Sequence, residues 1–380
     1  MTVDTPEFVK RAADRIGFKR SSYVEANIPT TISNIRVVPF FGDIRSSFIL
    51  STFLLKRYKE LKPTEYLILC SWPGFEALFP FVDEFWHPND DSILKTLSMK
   101  VGSFSNSSDA SVIISRNLIQ HFENIMTYDD LNAYYDDGFK EKFWQNFGEI
   151  RRYLPHVLEN RKIYGDLESQ GFNPASKKVF IFPTTHFRSW QNGKCEYLSG
   201  NRDFWVALVE RLLEENYLPV IWQNKFTFDL STNFTNKCYY ITTNNLSEIL
   251  GTMRTVGLVL DIYSGISRLS ISARTPFICV DERLRYINQK DYEIDDLCCF
   301  NIPKQYIFSF STMLLTGEKL DWDNSLINGI VSKLNKFIPI LDRDNWMSMQ
   351  ESDEFVPHEM VKERNSKRMG VLFLRSSKNN

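Results

Sequence analysis

Segments typical of strands and helices alternate along most of this 380-residue chain, and this alternation restricts its fold more than any other feature. In the second half, the apolar runs KKVFIFP, YLPVIWQN, CYYITT and VGLVLDI are typical of buried strands, whereas RDFWVALVERLLEEN and NLSEILGTMR have helical periodicity. Strands that alternate with helices predict parallel sheets covered on both faces, with ligands bound beyond the carboxyl ends of the strands. The predicted fold class is therefore α/β.

The first half shows the same pattern. IRVVPF and EYLILCSW are predicted strands, FILSTFLLKRYKEL between them is a predicted helix, and FEALFPFVDEFWHP predicts a short helix before another strand. Because 380 residues exceed the size at which one core keeps growing, we expect two domains joined near SQGFNPASKK. The predicted domains are 1–170 and 171–341, followed by a charged tail, 342–380, for which a helix packing back on a domain is one option. TTHFRSWQNGKCEYLSGN is predicted to be a long loop.

Composition excludes several classes of function. The 45 Lys and Arg against 47 Asp and Glu leave a formal net charge of −2, which argues against a protein that binds nucleic acid through bulk charge. The N-terminus is charged, and no apolar run approaches the ~18 residues of a membrane span, so we expect a cytoplasmic protein without a transmembrane segment. Peripheral contact of the protein with a membrane surface is compatible with this composition. The five histidines do not cluster and the six cysteines form no CxxC pair, so we expect no metal site and no cofactor.

The stretch GLVLDIYSGISRLSISARTPFICVDE reads as a buried strand, a tight turn and a helix. The first amides of a helix lack internal partners and the helix dipole favours negative charge, so this turn is a candidate anion site. Its candidate phosphate ligands are Ser264, Gly265, Ser267 and Arg268. An ordinary connection from strand to helix explains the same residues, since a turn can need glycine for its backbone alone.

Three motifs stand in order along the chain. The first is the stretch 40–88, in which Gly42 and Asp43 follow the first strand and VDE at 82–84 follows the second. This stretch resembles the opening of the ADP-heptose lipopolysaccharide heptosyltransferase family, and the other two motifs resemble later parts of the same family. Arg188 and Trp190 match the family's segment in which a basic residue comes two positions before a tryptophan.

The third motif is the phosphate turn. Ser264, Gly265, Ile266, Ser267 and Leu269 are in register with it, and Pro276 closes it. Tyr263 and Arg268 replace the family's Asp and His, which favours a divergent member that carries another sugar. The resemblance covers about two thirds of the chain.

The resemblance implies two Rossmann-like domains facing a cleft, the GT-B fold. It further implies a hexosyl- or heptosyltransferase-like enzyme, inverting and metal-independent. A nucleotide-sugar donor would be held by the C-terminal domain, and a glycan or glycolipid acceptor by the N-terminal one. The absence of a GxGxxG fingerprint disfavours a dinucleotide enzyme.

Residue roles follow from this resemblance together with the chemistry of the transfer. Asp43 is the candidate base that takes the acceptor proton, although an aspartate that caps a helix would occupy the same position. Arg188 and Arg268 rank above Lys194 as ligands of the leaving diphosphate, since a guanidinium fork suits phosphate oxygens. The candidate nucleoside-binding residues are Trp222, Gln223, Asp281 and Glu282. Buried tryptophans are more often core residues, and carboxylates after a strand are often only part of a loop.

Two rival functions stay open. One is a nucleotide-sugar epimerase of the same fold, which would need additional acid and base groups near the sugar. The other is a non-catalytic nucleotide-binding or glycan-binding relative, which the replacements at Tyr263 and Arg268 make conceivable. Release of free nucleoside diphosphate would separate transfer from epimerisation.

Overall fold

The structure is a computed structural model of the chain. The described residues are 17–20, 34–41, 54–88, 125–126, 128–135, 157–191, 194–262, 265–273, 275, 277–280, 307–308, 314–316, 319–321 and 324–337.

The chain divides into two compact units. The first unit consists of Met1–Lys140, Arg152–Pro155 and Asn245–Ser247. The second unit consists of Glu141–Arg151, His156–Asn244 and Glu248–Asn380.

The described strands of the first unit form a largely parallel sheet. They are β1 (Phe18–Arg20), β2 (Asn34–Pro39), β3 (Glu65–Cys70) and β4 (Glu84–Pro88), in the spatial order β1-β4-β3-β2. The three strands β2, β3 and β4 are mutually parallel, and β1 pairs antiparallel with β4 at the edge. Helix α1 (Leu55–Leu61) connects β2 to β3 and buries Leu55 and Tyr58. A single 3₁₀ turn, Glu76–Leu78, precedes β4, as the sequence predicted.

The second unit has a longer parallel sheet. Its described strands have the spatial order β12-β11-β10-β5-β8-β9, and every described pairing among them is parallel. The strands are β5 (Lys177–Ile181), β8 (Tyr217–Trp222), β9 (Tyr239–Ile241), β10 (Val259–Ile262), β11 (Phe277–Val280) and β12 (Ile307–Phe308).

A short antiparallel hairpin interrupts this alternation. Strands β6 (His186–Gln191) and β7 (Lys194–Ser199) pair from His186↔Ser199 to Gln191↔Lys194, so the two residues at 192 and 193 join them. With β13 (Leu314–Thr316) and β14 (Lys319–Asp321) they form a sheet in the order β13-β14-β7-β6. The prediction of a long loop at TTHFRSWQNGKCEYLSGN is therefore wrong.

The helices of the second unit cover its parallel sheet. Helix α4 (Arg202–Glu214) begins where Asn201 Oδ1 accepts hydrogen bonds from Asp203 N at 2.9 Å and Phe204 N at 3.3 Å, which satisfies two amides that lack helical partners. The apolar face of α4 is buried against β5, β8 and helix α7 (Asn324–Phe337). The other described helices are α2 (Tyr128–Tyr134) of the first unit, α3 (Lys162–Ser169) and α6 (Gly265–Ser272) of the second unit, and α5 (Leu246–Val256), which belongs to the second unit from Glu248 onward.

These observations confirm the predicted α/β class with two Rossmann-like parallel sheets. The division places α3 in the second unit, so the change of unit comes earlier in the chain than the predicted join near residue 170. The tail at 342–380 lies outside the described residues. No helix in the described part of the chain is long and apolar enough to cross a membrane.

Candidate functional site

The parallel sheet of the second unit reverses its strand order next to its first strand. Counted from β5 as strand 1, the observed order is 3-2-1-4-5-6, so β5 and β10 are spatial neighbours although α4, β8, β9 and α5 separate them in the chain. The loops at the carboxyl ends of two such neighbouring strands run in opposite directions and leave a crevice between them. Proteins with this sheet architecture bind their ligands in that crevice. The candidate site is therefore the carboxyl edge of β5 and β10.

The first unit shows the same reversal. Val37 of β2 pairs with Ile68 of β3 and, through a parallel bridge, with Ile125, and Met126 N donates to Val37 O at 2.9 Å. The segment at Ile125 therefore lies on the side of β2 that is opposite to β3. Asp43 comes four residues after the end of β2 and lies outside the described residues.

Two of the predicted phosphate ligands lie on the hairpin that follows β5. In its ladder Arg188 pairs with Tyr197 and Lys194 pairs with Gln191. Alternate positions of a strand belong to opposite faces, and these two positions therefore belong to opposite faces of the hairpin. Binding of one diphosphate by Arg188 and Lys194 together stays a prediction.

The other predicted phosphate ligands follow β10. Helix α6 begins at Gly265, three residues after the last residue of β10, and Ser267 and Arg268 lie near its start. The apolar residues Ile266 and Leu269 of this helix are buried, which fixes α6 against the unit. Ser264, Asp281 and Glu282 lie outside the described residues. A helix thus follows β10, as the sequence pattern predicted, and binding of phosphate at its start stays a prediction.

The two described nucleoside candidates, Trp222 and Gln223, differ in exposure. Trp222 is only 5% exposed, its ring lies 5.1 Å from that of Phe182, and its indole Nε1 donates to Thr243 O at 2.9 Å. These contacts give Trp222 a packing role, and a nucleoside contact through it stays a prediction. Gln223 is half-buried at the carboxyl end of β8, and its side chain contacts Asp229. The hydrogen bonds from Ser231 hold the pKa of that aspartate below its usual value.

The acidic motif at 82–84 has a structural role in the first unit. The carboxylate of Asp83 accepts from Lys59 Nζ at 2.5 Å and from Leu67 N at 2.7 Å. Glu84 begins β4, and its buried carboxylate accepts from Tyr66 and Trp86 and forms an ion pair with Arg20. Asp83 Oδ2 and both carboxylate oxygens of Glu84 accept hydrogen bonds, so this motif holds α1, β1, β3 and β4 together.

A network of backbone hydrogen bonds fixes the carboxyl edge of β5 and β8. Thr185 N donates to Phe226 O at 2.8 Å, Gly200 N donates to Thr185 O at 2.6 Å, and Phe228 N donates to Pro183 O at 2.8 Å. The loop after β8 is thereby bound to the segment that enters the hairpin, and the base of the hairpin is closed at Gly200.

Sequence reasoning missed two features of this edge. The first is the hairpin itself, although Asn192-Gly193 is the kind of dipeptide that most strongly favours a two-residue hairpin connection. The second is Phe226, whose side chain is 50% exposed next to Thr185. No local pattern separates an exposed phenylalanine from a buried one, so sequence alone offers no comparable signal for Phe226.

Metal ligation has no described candidate. Within the residues that the structure describes, no group of three or more His, Cys, Asp or Glu side chains lies together as metal ligands would. Asp342 and Asp344, which formally match a DxD motif, lie outside these residues.

Comparisons with known proteins find similarity in structure only. No protein-family model matches the sequence, and no curated protein matches it. The structure is similar to E. coli ADP-heptose lipopolysaccharide heptosyltransferase II, with 12% identity and a TM-score of 0.45 over 80% of this chain and 98% of that chain. It is also similar to a family 9 glycosyltransferase from Veillonella parvula, with 10% identity and a TM-score of 0.40 over 67% of this chain and 82% of that chain.

A putative UDP-N-acetylglucosamine 2-epimerase from Listeria monocytogenes is similar to a comparable degree. Its identity is 9% and its TM-score is 0.40, over 90% of this chain and 97% of that chain. The solved structures that are similar to this chain thus include heptosyltransferases, the family that its sequence motifs resemble.

Proposed function

We propose that this protein is a glycosyltransferase that moves a sugar from a nucleotide-sugar donor to a hydroxyl of a glycan or glycolipid acceptor. The donor binds to the second unit and the acceptor to the first. The transfer inverts the configuration of the sugar and uses no metal ion. Because Tyr263 and Arg268 replace two residues of the heptosyltransferase motif, the sugar differs from heptose.

The observation that carries the proposal is the position of the motif residues relative to the switch points. Asp43 follows β2, the hairpin with Arg188 and Lys194 follows β5, and Ser264 and Gly265 follow β10. Each of these strands flanks the place where its own sheet reverses its strand order. Ligands of doubly wound sheets bind at such places, which supports a role in binding for these residues.

The chemistry of transfer assigns each group a task. Negative charge develops on the departing diphosphate, and guanidinium groups with helix amides stabilise this charge. Arg188, Arg268 and the amides after Ser264 supply these donors in the proposal. The acceptor hydroxyl loses a proton as it attacks the anomeric carbon, and the Asp43 carboxylate accepts this proton.

A first test measures nucleotide binding. Nucleoside diphosphates and nucleotide sugars are added to the full chain, and the matching ligand is expected to raise the unfolding temperature. At ~100-fold excess over the dissociation constant, it stabilises the folded state by about 2.7 kcal/mol. Replacement of Arg188 by methionine should remove most of this stabilisation, whereas Lys237→Met, at an exposed position of the same unit outside the proposed ligands, should preserve most of it. If no compound in a panel of adenosine, uridine, guanosine, cytidine and thymidine diphosphates stabilises the protein, the proposed donor site is wrong.

A second test addresses the base. Asp43→Asn keeps the shape of the side chain but cannot accept the acceptor proton, so we expect the rate of nucleoside diphosphate release to fall roughly 100-fold. Affinity for the nucleoside diphosphate should stay unchanged, since this residue belongs to the first unit. If turnover is unchanged in Asp43→Asn, Asp43 is not the base, and the role that remains for it is that of a helix cap.

A further inference from the structure

Phe226 is an apolar side chain held in solvent by a rigid piece of backbone. Its side chain is 50% exposed. Its amide donates to Asn224 Oδ1 at 2.8 Å, and its carbonyl accepts from Thr185 N at 2.8 Å and from Thr185 Oγ1 at 3.1 Å. Both polar groups of the Phe226 backbone are therefore hydrogen-bonded, which holds the point from which the exposed side chain extends.

The turn that carries Phe226 is closed by its own side chains. Thr227 Oγ1 accepts from Asn224 N at 2.8 Å and donates to Asn224 O at 2.9 Å. Thr227 also forms an antiparallel bridge with Thr184, and Thr227 is buried. A ligand that meets Phe226 thus meets a preorganised surface, so binding spends little free energy on ordering the loop.

Phe226 lies close to the switch point of the sheet. In open sheets of the order 3-2-1-4-5-6, ligands bind in the crevice beyond the carboxyl ends of the strands at this point. Strand β8 is the second strand of this order, the residue after it is Gln223, and Phe226 follows three residues later. Because the Phe226 carbonyl accepts a hydrogen bond from the amide of Thr185, four residues after the end of β5, this part of the loop lies next to the segment that leaves the first strand.

We propose that Phe226 is the stacking surface for the nucleobase of the donor. This inference rests on the proposed function and adds a binding residue to it. The ammonium of Lys225 lies 5.0 Å from the centroid of the Phe226 ring, and in the proposal the base stacks on the other face of this ring. Every nucleobase presents a flat π-face, so an aromatic ring binds it without a need for hydrogen bonds. Trp222, the aromatic candidate from the sequence, is 5% exposed and cannot offer such a face without repacking.

The test compares two ligands on one variant. Isothermal titration of the full chain with the best nucleoside diphosphate of the panel, and separately with inorganic pyrophosphate, gives two dissociation constants for the wild type and for Phe226→Ala. We expect the nucleoside diphosphate to bind roughly 5- to 100-fold more weakly to the variant, the loss of one base–aromatic stack. The affinity for pyrophosphate should change less than about twofold.

Two further variants control for folding and for general surface effects. Phe226→Trp keeps an aromatic face and should retain wild-type affinity. Leu158→Ala removes another exposed apolar side chain of the same unit and should leave both dissociation constants unchanged.

Several outcomes overturn the proposal. It fails if Phe226→Ala binds the nucleoside diphosphate as tightly as the wild type does. It also fails if the affinity for pyrophosphate falls in parallel, which would show a displaced loop. Weaker binding of the nucleotide sugar with unchanged binding of the diphosphate would assign the ring to the sugar instead. A wild type that binds no nucleoside diphosphate refutes the proposed function itself, and the stacking role with it.

Discussion

Replacing Lys59 with methionine is expected to lower the free energy of unfolding by about 3 kcal/mol at neutral pH, the usual cost of removing one partner of a buried ion pair. The side chains of Lys59 and Asp83 are 15% and 3% exposed, and Nζ lies 2.5 Å from Oδ2. Methionine preserves the apolar stem of lysine but leaves the Asp83 carboxylate buried, with the amide of Leu67 as its remaining described donor. The bond from Lys59 Nζ to Glu65 O, at 2.7 Å, is lost as well.

The loss should depend on pH. Burial raises the pKa of Asp83 above its usual value, while the hydrogen bonds from Lys59 and Leu67 oppose this rise. Without Lys59 the pKa of Asp83 rises further. An acid whose pKa is raised on folding binds its proton more tightly in the folded state. Its contribution to the free energy of unfolding therefore decreases as the pH rises from its pKa in the unfolded state to its pKa in the folded state. The destabilisation of Lys59→Met should therefore be smallest in acid and grow toward neutral pH.

Urea denaturation followed by circular dichroism between about pH 4 and pH 8 measures this dependence. Lys62→Met is the matched control, because Lys62 is exposed just after α1 and its replacement should change stability by less than about 0.5 kcal/mol. Adding Asp83→Asn to Lys59→Met removes the stranded charge, so it should recover part of the loss and remove the part of the pH dependence that comes from titration of Asp83. Equal stability of the Lys59 and Lys62 variants at neutral pH would contradict the assignment of a stabilising buried pair.

The elements that the sequence predicted well are those whose local pattern and packing agree. Strands β3, β5 and β8 are apolar runs buried in parallel sheets, and α4 carries its buried residues at helical spacing after an asparagine cap. Helix α7 has the same spacing, with Leu326, Ile330 and Leu334 buried, but the prediction contains no helix there. The helical spacing of these apolar residues is visible in the sequence. The packing of α7 against α4, however, involves residues that are far apart in the chain.

The spatial order of strands could not be obtained from local pattern. Val37 and Ile125 pair across 88 residues, and β5 and β10 pair across most of the second unit. The same holds for exposure: Trp222 is buried because Phe182, at the end of β5, packs on it, while Phe226 four residues later is exposed. Sequence therefore indicated which loops form the candidate site, but not which aromatic side chain within them a ligand can reach.

Gly200→Ala is expected to destabilise the second unit by about 3 kcal/mol, at the upper end of the cost of overpacking. A Cβ on Gly200 would lie 2.4 Å from Thr184 O and 3.1 Å from Phe228 Cε2. The phenylalanine ring can move, but Thr184 O belongs to backbone that the bridge to Thr227 holds in place. Relief of the contact must therefore displace the base of the hairpin and weaken the bond from Gly200 N to Thr185 O.

Two other glycines of the same unit give a graded comparison. A Cβ on Gly251 of α5 would lie 2.9 Å from Leu158 O, so Gly251→Ala should cost less than Gly200→Ala. At Gly165 of α3 a Cβ meets nothing within 4 Å, so Gly165→Ala should stabilise the protein by roughly 0.5–1 kcal/mol through helix propensity. Urea denaturation should find Gly200→Ala the least stable and Gly165→Ala the most stable of the three variants. If Gly200→Ala is as stable as Gly251→Ala, the hairpin base adapts more easily than its hydrogen bonds indicate.

The functional effect of Gly200→Ala follows from what the hairpin carries. Arg188 and Lys194 lie on β6 and β7, whose connection to the sheet runs through Gly200 at one end and Thr185 at the other. If these residues bind the diphosphate, a shift of the hairpin by even 1 Å should weaken binding of the nucleoside diphosphate at a temperature where the variant remains folded. Gly251→Ala, which strains the packing of α5 instead, should retain wild-type affinity. Equal affinity in both variants would separate the hairpin from the donor site and remove Arg188 and Lys194 from the proposed mechanism.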